Sequence, residues 1–364
     1  MQIKDIITEL EKFAPLIYQE SYDNCGLLVG NKNDETSGAI LTLDCTEQVI
    51  EEAIQKKCNL IIAHHPVIFG GIKKINGGNY VERILIKAIQ NNIAIYALHT
   101  NLDNVKLGVN AKIAEKLGLV NLQILSPKKQ LLRKLVTFVP VSHSEKVRMA
   151  LFAAGAGQIG NYDNCSFNVE GKGTFKGNEH SNPVLGEKGK LNIEEETRIE
   201  VIYEAHLENN LIHKLLEAHP YEEVAHDIYT LENQFQNVGS GMTGELQNSI
   251  SETEFLNLLK RTFALKFLKH TSLLDKPVKK VAFCGGSGSF LIKSAINSLA
   301  DVYVSSDIKY HEFFDAENKI LIADIGHFET EQFTPQIFYE IIKKKFATFA
   351  TYLSEIKTNP VNYF

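Results

Sequence analysis

The chain has 364 residues, 44% of them hydrophobic, and a formal net charge of −6. That length calls for two or three domains, and that apolar content can bury a sizeable core, so a largely disordered chain is excluded. Residues 131–232 hold 10 Lys and Arg against 16 Asp and Glu, so the net charge falls there, no region is strongly basic, and nucleic-acid binding by phosphate neutralisation is not expected.

The opening segment MQIKDIITELEKFAP places Ile3, Ile6, Ile7, Leu10 and Phe13 at helical spacing. It reads as an amphipathic helix packed on the protein, not as a targeting segment. No run approaches the ~20 apolar residues that a membrane span needs. The five cysteines are scattered, with no CxxC pair, and read as buried small hydrophobes in a reducing compartment. A soluble, cytoplasmic protein is expected.

Strand and helix then alternate. Residues 39–44 (AILTLD) form a strand, and Thr46 caps a helix over 47–57. Residues 59–63 (NLIIA) form a buried strand, 80–91 a helix, 93–98 (IAIYAL) a strand and 109–117 a helix. Short strand–helix–strand connections imply a parallel sheet.

The middle of the chain differs. A strand over 135–139 precedes a helix over 144–154, capped by Ser144. Strands over 165–169 and 198–203 flank a polar stretch, 171–190, and a helix over 209–218 leads to a strand over 225–229. This βαββαβ order is that of a ferredoxin-like sandwich. The expected organisation is a first half over 1–127, an inserted ferredoxin-like α+β domain over 128–232, and a return over 233–364 that begins with a linker, 233–244.

The last third repeats the α/β rhythm. Strands are expected over 280–284, 302–305 and 320–325, helices over 290–299 and 334–345, and an edge strand within 346–353. The two outer segments thus resemble each other as βαβ-type halves.

Three of these strands end in groups that bind metals. His64 and His65 follow NLIIA at the C-terminal mouth of a strand, where open α/β sheets hold ligands. Adjacent strand residues point to opposite sides, so the pair chelates one ion poorly but can serve two neighbouring ions. IAIYAL ends in His99, Thr100, Asn101, Asp103 and Asn104, which taken alone is also an ordinary polar loop. ILIADI ends in His327 and Glu331, four apart and on one face if a helix opens there. Acids at a helix start have a dipole explanation, but that does not account for His327. Joined, the three ends offer His64, His65, Asp103, His327 and Glu331 to a two-metal centre. Ligation by His, Asp and Glu without cysteine suits Zn²⁺, Mn²⁺ or Fe²⁺, and a pair of such ions performs hydrolysis.

Weaker signals accompany them. Gly285–Gly286–Ser287–Gly288–Ser289 joins a strand to a helix, either as a tight turn or as a phosphate cradle. Asp307 and His311 end another strand, as ligand-orienting partners, a proton relay or loop residues. Six of the twelve histidines lie between His143 and His226, with no ligand constellation.

The motifs YDNCGLLVG (22–30), LIIAHHPVIF (60–69), ALHTNLDNVKLGVN (97–110), VAFCGGSGS (281–289), SSDIKYHEFFDA (305–316) and IADIGHFETE (322–331) resemble the Nif-three-like dinuclear-metal family, also called GTP cyclohydrolase 1 type 2. The resemblance implies that the five residues above are the metal ligands, and leaves His99 as either a ligand or a proton carrier. It implies a toroidal homohexamer with sites facing an inner cavity, and likens the insert to a CutA/PII-like domain. Tyr22 stands where the family more often has Trp, and Ser306 where Gly is frequent. The function expected is a hydrolase of a purine nucleotide, with two divalent ions per chain, zinc first and iron or manganese next, and His311 or His99 as acid or base. The alternative is a metal-containing regulatory or scaffold protein that binds partners through the insert.

Overall fold

In the computed structural model, which describes residues 1–362, the chain divides into two compact units, one built from residues 1–127 and from 236 onward, the other from residues 128–235.

The first unit begins with α1 (Ile3–Phe13), whose Ile3, Ile6, Ile7 and Leu10 are buried. There follow β1 (Gly26–Val29), β2 (Ala39–Thr42), α2 (Glu47–Gln55), β3 (Leu60–Ala63), α3 (Tyr80–Gln90), β4 (Ala94–Ala97), α4 (Thr100–Asn104), α5 (Val109–Leu117) and β5 (Val120–Lys128). The Thr46 hydroxyl accepts the Val49 N–H and so starts α2, where it removes one orphan donor of the first turn. β2, β3 and β4 are parallel neighbours. β1, not anticipated from the sequence, pairs antiparallel with β4, so the sheet is mixed rather than wholly parallel. Every residue of β2, β3 and β4 is buried, as expected of strands covered on both faces.

In the second unit, β6 (Leu132–Pro140), α6 (Ser144–Ala153), β7 (Phe167–Phe175), β8 (Asn192–Glu204), α7 (Glu208–Ala218) and β9 (His226–Thr230) form one antiparallel sheet in the order β7-β8-β6-β9. Leu135, Val139, Val147, Leu151, Ile199, Val201, Leu211 and Leu215 make its core. β7 extends into the stretch that reads as polar loop, as far as Phe175, and its composition looks like loop because the strand is largely exposed. Ser144 does not cap α6: its hydroxyl donates to the Val141 carbonyl within a preceding 3-10 turn.

The chain returns through β10 (Phe235–Ser251), then α8 (Glu252–Thr262), β11 (Lys269–His270), β12 (Pro277–Ser287), α9 (Ile292–Asn297), β13 (Val302–Ser306), β14 (Leu321–Asp324), α10 (His327–Glu331), α11 (Thr334–Lys345) and β15 (Thr351–Leu353). The segment that reads as a linker is therefore a 17-residue strand. Its glycines serve close packing: a Cβ on Gly239 would lie 2.2 Å from the Ser126 carbonyl oxygen, and one on Gly244 2.7 Å from Leu122. A six-stranded sheet results, in the order β11-β14-β13-β12-β10-β5, while β15 adds to the other edge of the first sheet beside β2. As in the first sheet, three strands (β12, β13, β14) are parallel neighbours. Cys45, Cys58 and Cys284 are buried, as their composition suggests, but Cys25 and Cys165 are only half-buried. Among the described residues, no helix is long and apolar enough to cross a membrane.

Candidate metal centre

His64 and His65 leave the end of β3, His99 precedes α4, Asp103 lies within it, and α10 carries His327 and Glu331. The first unit therefore gathers on one site the C-terminal ends of parallel strands from both sheets, the position at which such sheets hold ligands.

Each of the four imidazoles is fixed through Nδ1. His64 donates to the Leu98 carbonyl at 2.8 Å, His65 to Asp44 at 2.8 Å, His99 to Asp23 at 2.9 Å and His327 to Asp307 at 2.6 Å. An oxygen acceptor at Nδ1 sets the tautomer and leaves the Nε2 lone pair as ligand. Asp23 is itself held by the Thr100 backbone N–H, and Asp44 by the Thr358 hydroxyl at 2.6 Å.

The Nε2 atoms converge on Glu331. One carboxylate oxygen, Oε2, lies 3.0 Å from His65 Nε2 and 3.1 Å from His327 Nε2, and those two nitrogens are 3.3 Å apart. The other, Oε1, lies 3.7 Å from His64 Nε2, which is 3.5 Å from Asp103 Oδ1. Atoms bound about 2.0–2.2 Å from one ion lie roughly 3–3.6 Å apart, so both sets have the spacing of ligands around an ion. His65 with His327 and Glu331, His64 with Asp103 and Glu331, and His64 with His65 and His99 each form a group that could hold a metal ion. The fit is sharpened by two buried atoms with no hydrogen-bond partner, His64 Nε2 and Asp103 Oδ1. Such atoms are costly to bury, and both face the same gap.

The electrostatics point the same way. Burial lowers His64 to about 4, so its ring is neutral. Against burial, the Asp44 and Glu331 hydrogen bonds raise His65 to about 9, and Asp307 and Glu331 raise His327 to about 11. Burial and the neighbouring Glu331 charge hold Asp103 well above the usual carboxylate range. Glu331 stays well below it despite burial, because three imidazoles surround it.

The cluster forms part of the wall of a cavity of about 820 Å³, into which His65, His99, Asp103, His327 and Glu331 face. His311 does not line it: the residue is exposed in a 3-10 turn, its ring against Tyr310 and Phe314. The Gly285 and Gly286 N–H groups donate to Asn110 and Thr330, which leaves neither free to cradle a phosphate. Gly286 is required by close approach, since a Cβ there would lie 2.3 Å from Glu331 Oε1. Sequence reasoning had Asp307 as an orienting partner but missed Asp23 and Asp44. Both lie in loops next to apolar strands, and only the fold brings them to an imidazole.

A family model described as Duf34/NIF3 (NGG1p interacting factor 3) matches residues 1–360. A Bacillus subtilis (strain 168) protein named GTP cyclohydrolase 1 type 2 homolog is 38% identical, over 99% of this chain and 98% of its own. A protein of the same name from Halalkalibacterium halodurans is 40% identical over 88% of this chain and 87% of its own. The crystal structure of a Bacillus cereus protein related to NIF3 superposes with a TM-score of 0.86 at 39% identity, and the match covers 100% of this chain and 99% of that one.

Proposed function

Since the chain belongs to the Duf34/NIF3 family, we propose that it is a dinuclear-metal hydrolase of the GTP cyclohydrolase type that opens the imidazole ring of a purine nucleotide. One observation carries this reading: the two oxygens of Glu331 face separate donor sets, His65 with His327 and His64 with Asp103. A single carboxylate so placed suits two neighbouring cations. His64, His65, Asp103, His327 and Glu331 would hold the ions, zinc first and iron or manganese next. Bound there, divalent ions supply Lewis acidity, which makes water nucleophilic near neutral pH and polarises the ring.

The remaining work falls to the chain's own groups. Asp23, Asp44 and Asp307 fix the tautomers of His99, His65 and His327. His99, whose Nε2 is left by that bond and which faces the cavity, is placed to hold the proton removed from water and return it to the departing ring nitrogen. In balance, one water adds at the imidazole carbon and the carbon–nitrogen bond opens to a formamide. A second water hydrolyses the formamide, and one formate leaves per ring.

The reading extends to organisation. We assign residues 128–232 to an inserted ferredoxin-like domain and expect a homohexamer. The insert leaves and re-enters through β5 and β10, which are sheet neighbours, so replacing residues 129–234 by an Asn-Gly turn should join them as a hairpin and leave the metal in place.

The deciding experiment measures metal by elemental analysis and formate release from GTP, with a chelated control. Two ions per chain and chelator-sensitive formate release support the reading. Two ions without formate release from GTP, guanosine or guanine would end the cyclohydrolase assignment and favour a metal-containing scaffold.

A further inference from the structure

A cavity that holds a nucleoside triphosphate needs cations for the phosphates as well as a surface for the ring. The cavity over the cluster supplies the second and not the first. Among its lining residues there is no Lys or Arg, whereas Glu20, Asp44, Glu47, Asp103 and Glu331 all face it. Arg83 on α3 is held by Glu47, a lining residue, at 2.8 Å. Of the glycine turn, the Gly285 and Gly286 N–H groups are taken by Asn110 and Thr330.

The same wall is rich in open aromatic rings. Tyr22, Phe69, Tyr80 and Phe290 line the cavity and are 69%, 56%, 65% and 68% exposed. Large rings are normally buried, and four left open around one polar-floored cavity form stacking platforms for a flat heterocycle. They come from four places: the segment before β1, the loop between β3 and α3, the start of α3 and the turn after β12.

We propose that the cavity selects the uncharged form of its ring substrate, a purine nucleoside or free base stacked on these aromatics, and discriminates against the triphosphate. This rests on the reading that the ring meets the metal cluster. It adds that phosphate groups must be removed, by a phosphohydrolase-class reaction, before the substrate arrives.

The test uses the full-length, metal-loaded protein. Binding of guanine, guanosine and GTP is measured by calorimetry, with GTP supplied as its magnesium complex so that it does not strip the centre, and formate release is followed in parallel. Guanosine should bind at least about 10-fold more tightly than GTP. The gap should narrow as salt is raised, because repulsion by the carboxylates is screened. Phe290→Ala should weaken guanosine by roughly 5- to 150-fold, the range for loss of one stacking partner, at unchanged metal content and oligomeric mass. GTP binding as tight as guanosine, or no binding of either ring, overturns the proposal. A guanosine preference with no formate from any ligand removes the hydrolase reading and leaves the selectivity in place. Formate from GTP with equal or tighter binding does the reverse.

Discussion

Histidine is put to two different uses in the two units. In the first, His64, His65, His99 and His327 each give Nδ1 to a fixed oxygen and leave Nε2 in a shared space. In the second, His219 spends both nitrogens on its own backbone surroundings, donating from Nε2 to the Phe138 carbonyl and accepting the Tyr221 N–H at Nδ1. His226 bonds the Val224 carbonyl and His213 sits in an exposed pair with Glu217. What separates a site from a structural histidine here is not burial, since His64 and His219 are both buried. It is the convergence of atoms left without a partner.

The comparison breaks first at Glu331. If that carboxylate joins the two donor sets, Glu331→Gln should reduce metal from two ions per chain to background, because the amide offers a neutral oxygen and a nitrogen that cannot ligate. The melting temperature should fall with it, since an ion bound only to the folded state at 1,000 times its Kd contributes about 4 kcal/mol. Retention of two ions in this variant would show that Glu331 is an ordinary buried acid.

A smaller effect is expected one shell out. Asp44 orients His65, so Asp44→Asn should weaken metal binding by about 10–100-fold, as loss of an orienting carboxylate does elsewhere, with little change in fold. Thr358 acts one step further, since its hydroxyl donates to the second oxygen of Asp44. Thr358→Val should raise the metal dissociation constant by less than Asp44→Asn, by roughly 2- to 13-fold if the lost bond contributes about 0.5–1.5 kcal/mol. Competition against a chromophoric chelator ranks all three. If Thr358→Val matched Asp44→Asn, the tail of the chain would be acting on the centre by another route.

How much of this was legible in the sequence follows from range. His64 and His65 stand directly after an apolar run, and Asp103, His327 and Glu331 within six residues of one, so strand periodicity puts them near one end of their sheets. The structure brings all five together. Asp23 and Asp44 were invisible because their partners lie 76 and 21 residues away, and a lone Asp after a strand reads as a turn. β10 was misread because NQFQNVGSGMTG has linker composition, whereas its glycines answer to the backbone of β5. β1 was missed since four residues, GLLV, carry no period. His311 follows β13 as the sequence suggests, and a 3-10 turn carries it to the surface, outside the cavity's lining.

The least disruptive change sharpens the comparison from the other unit. Burial lowers the His219 pKa from its ordinary value, with the Phe138 hydrogen bond opposing in part. The unfolded chain then binds more protons than the folded one as pH falls through about 6.5, so stability rises with pH across that window and is lost on acidification. The geometry gives the reason: a second ring proton, on Nδ1, would face the Tyr221 N–H that this nitrogen now accepts. Hydrogen exchange at the buried β6 residues Leu135 and Val139 reads the effect locally. Protection should fall between pH 7.5 and 5.5 in the parent and fall less in His219→Gln, whose amide can both donate and accept yet does not titrate. His206, also lowered by burial, remains in both proteins, so the difference isolates His219. Metal content should be identical in the two. A variant that lost metal, or that kept the parent's full pH dependence, would show that the histidines of the second unit are not the self-satisfied structural groups that their hydrogen bonds describe.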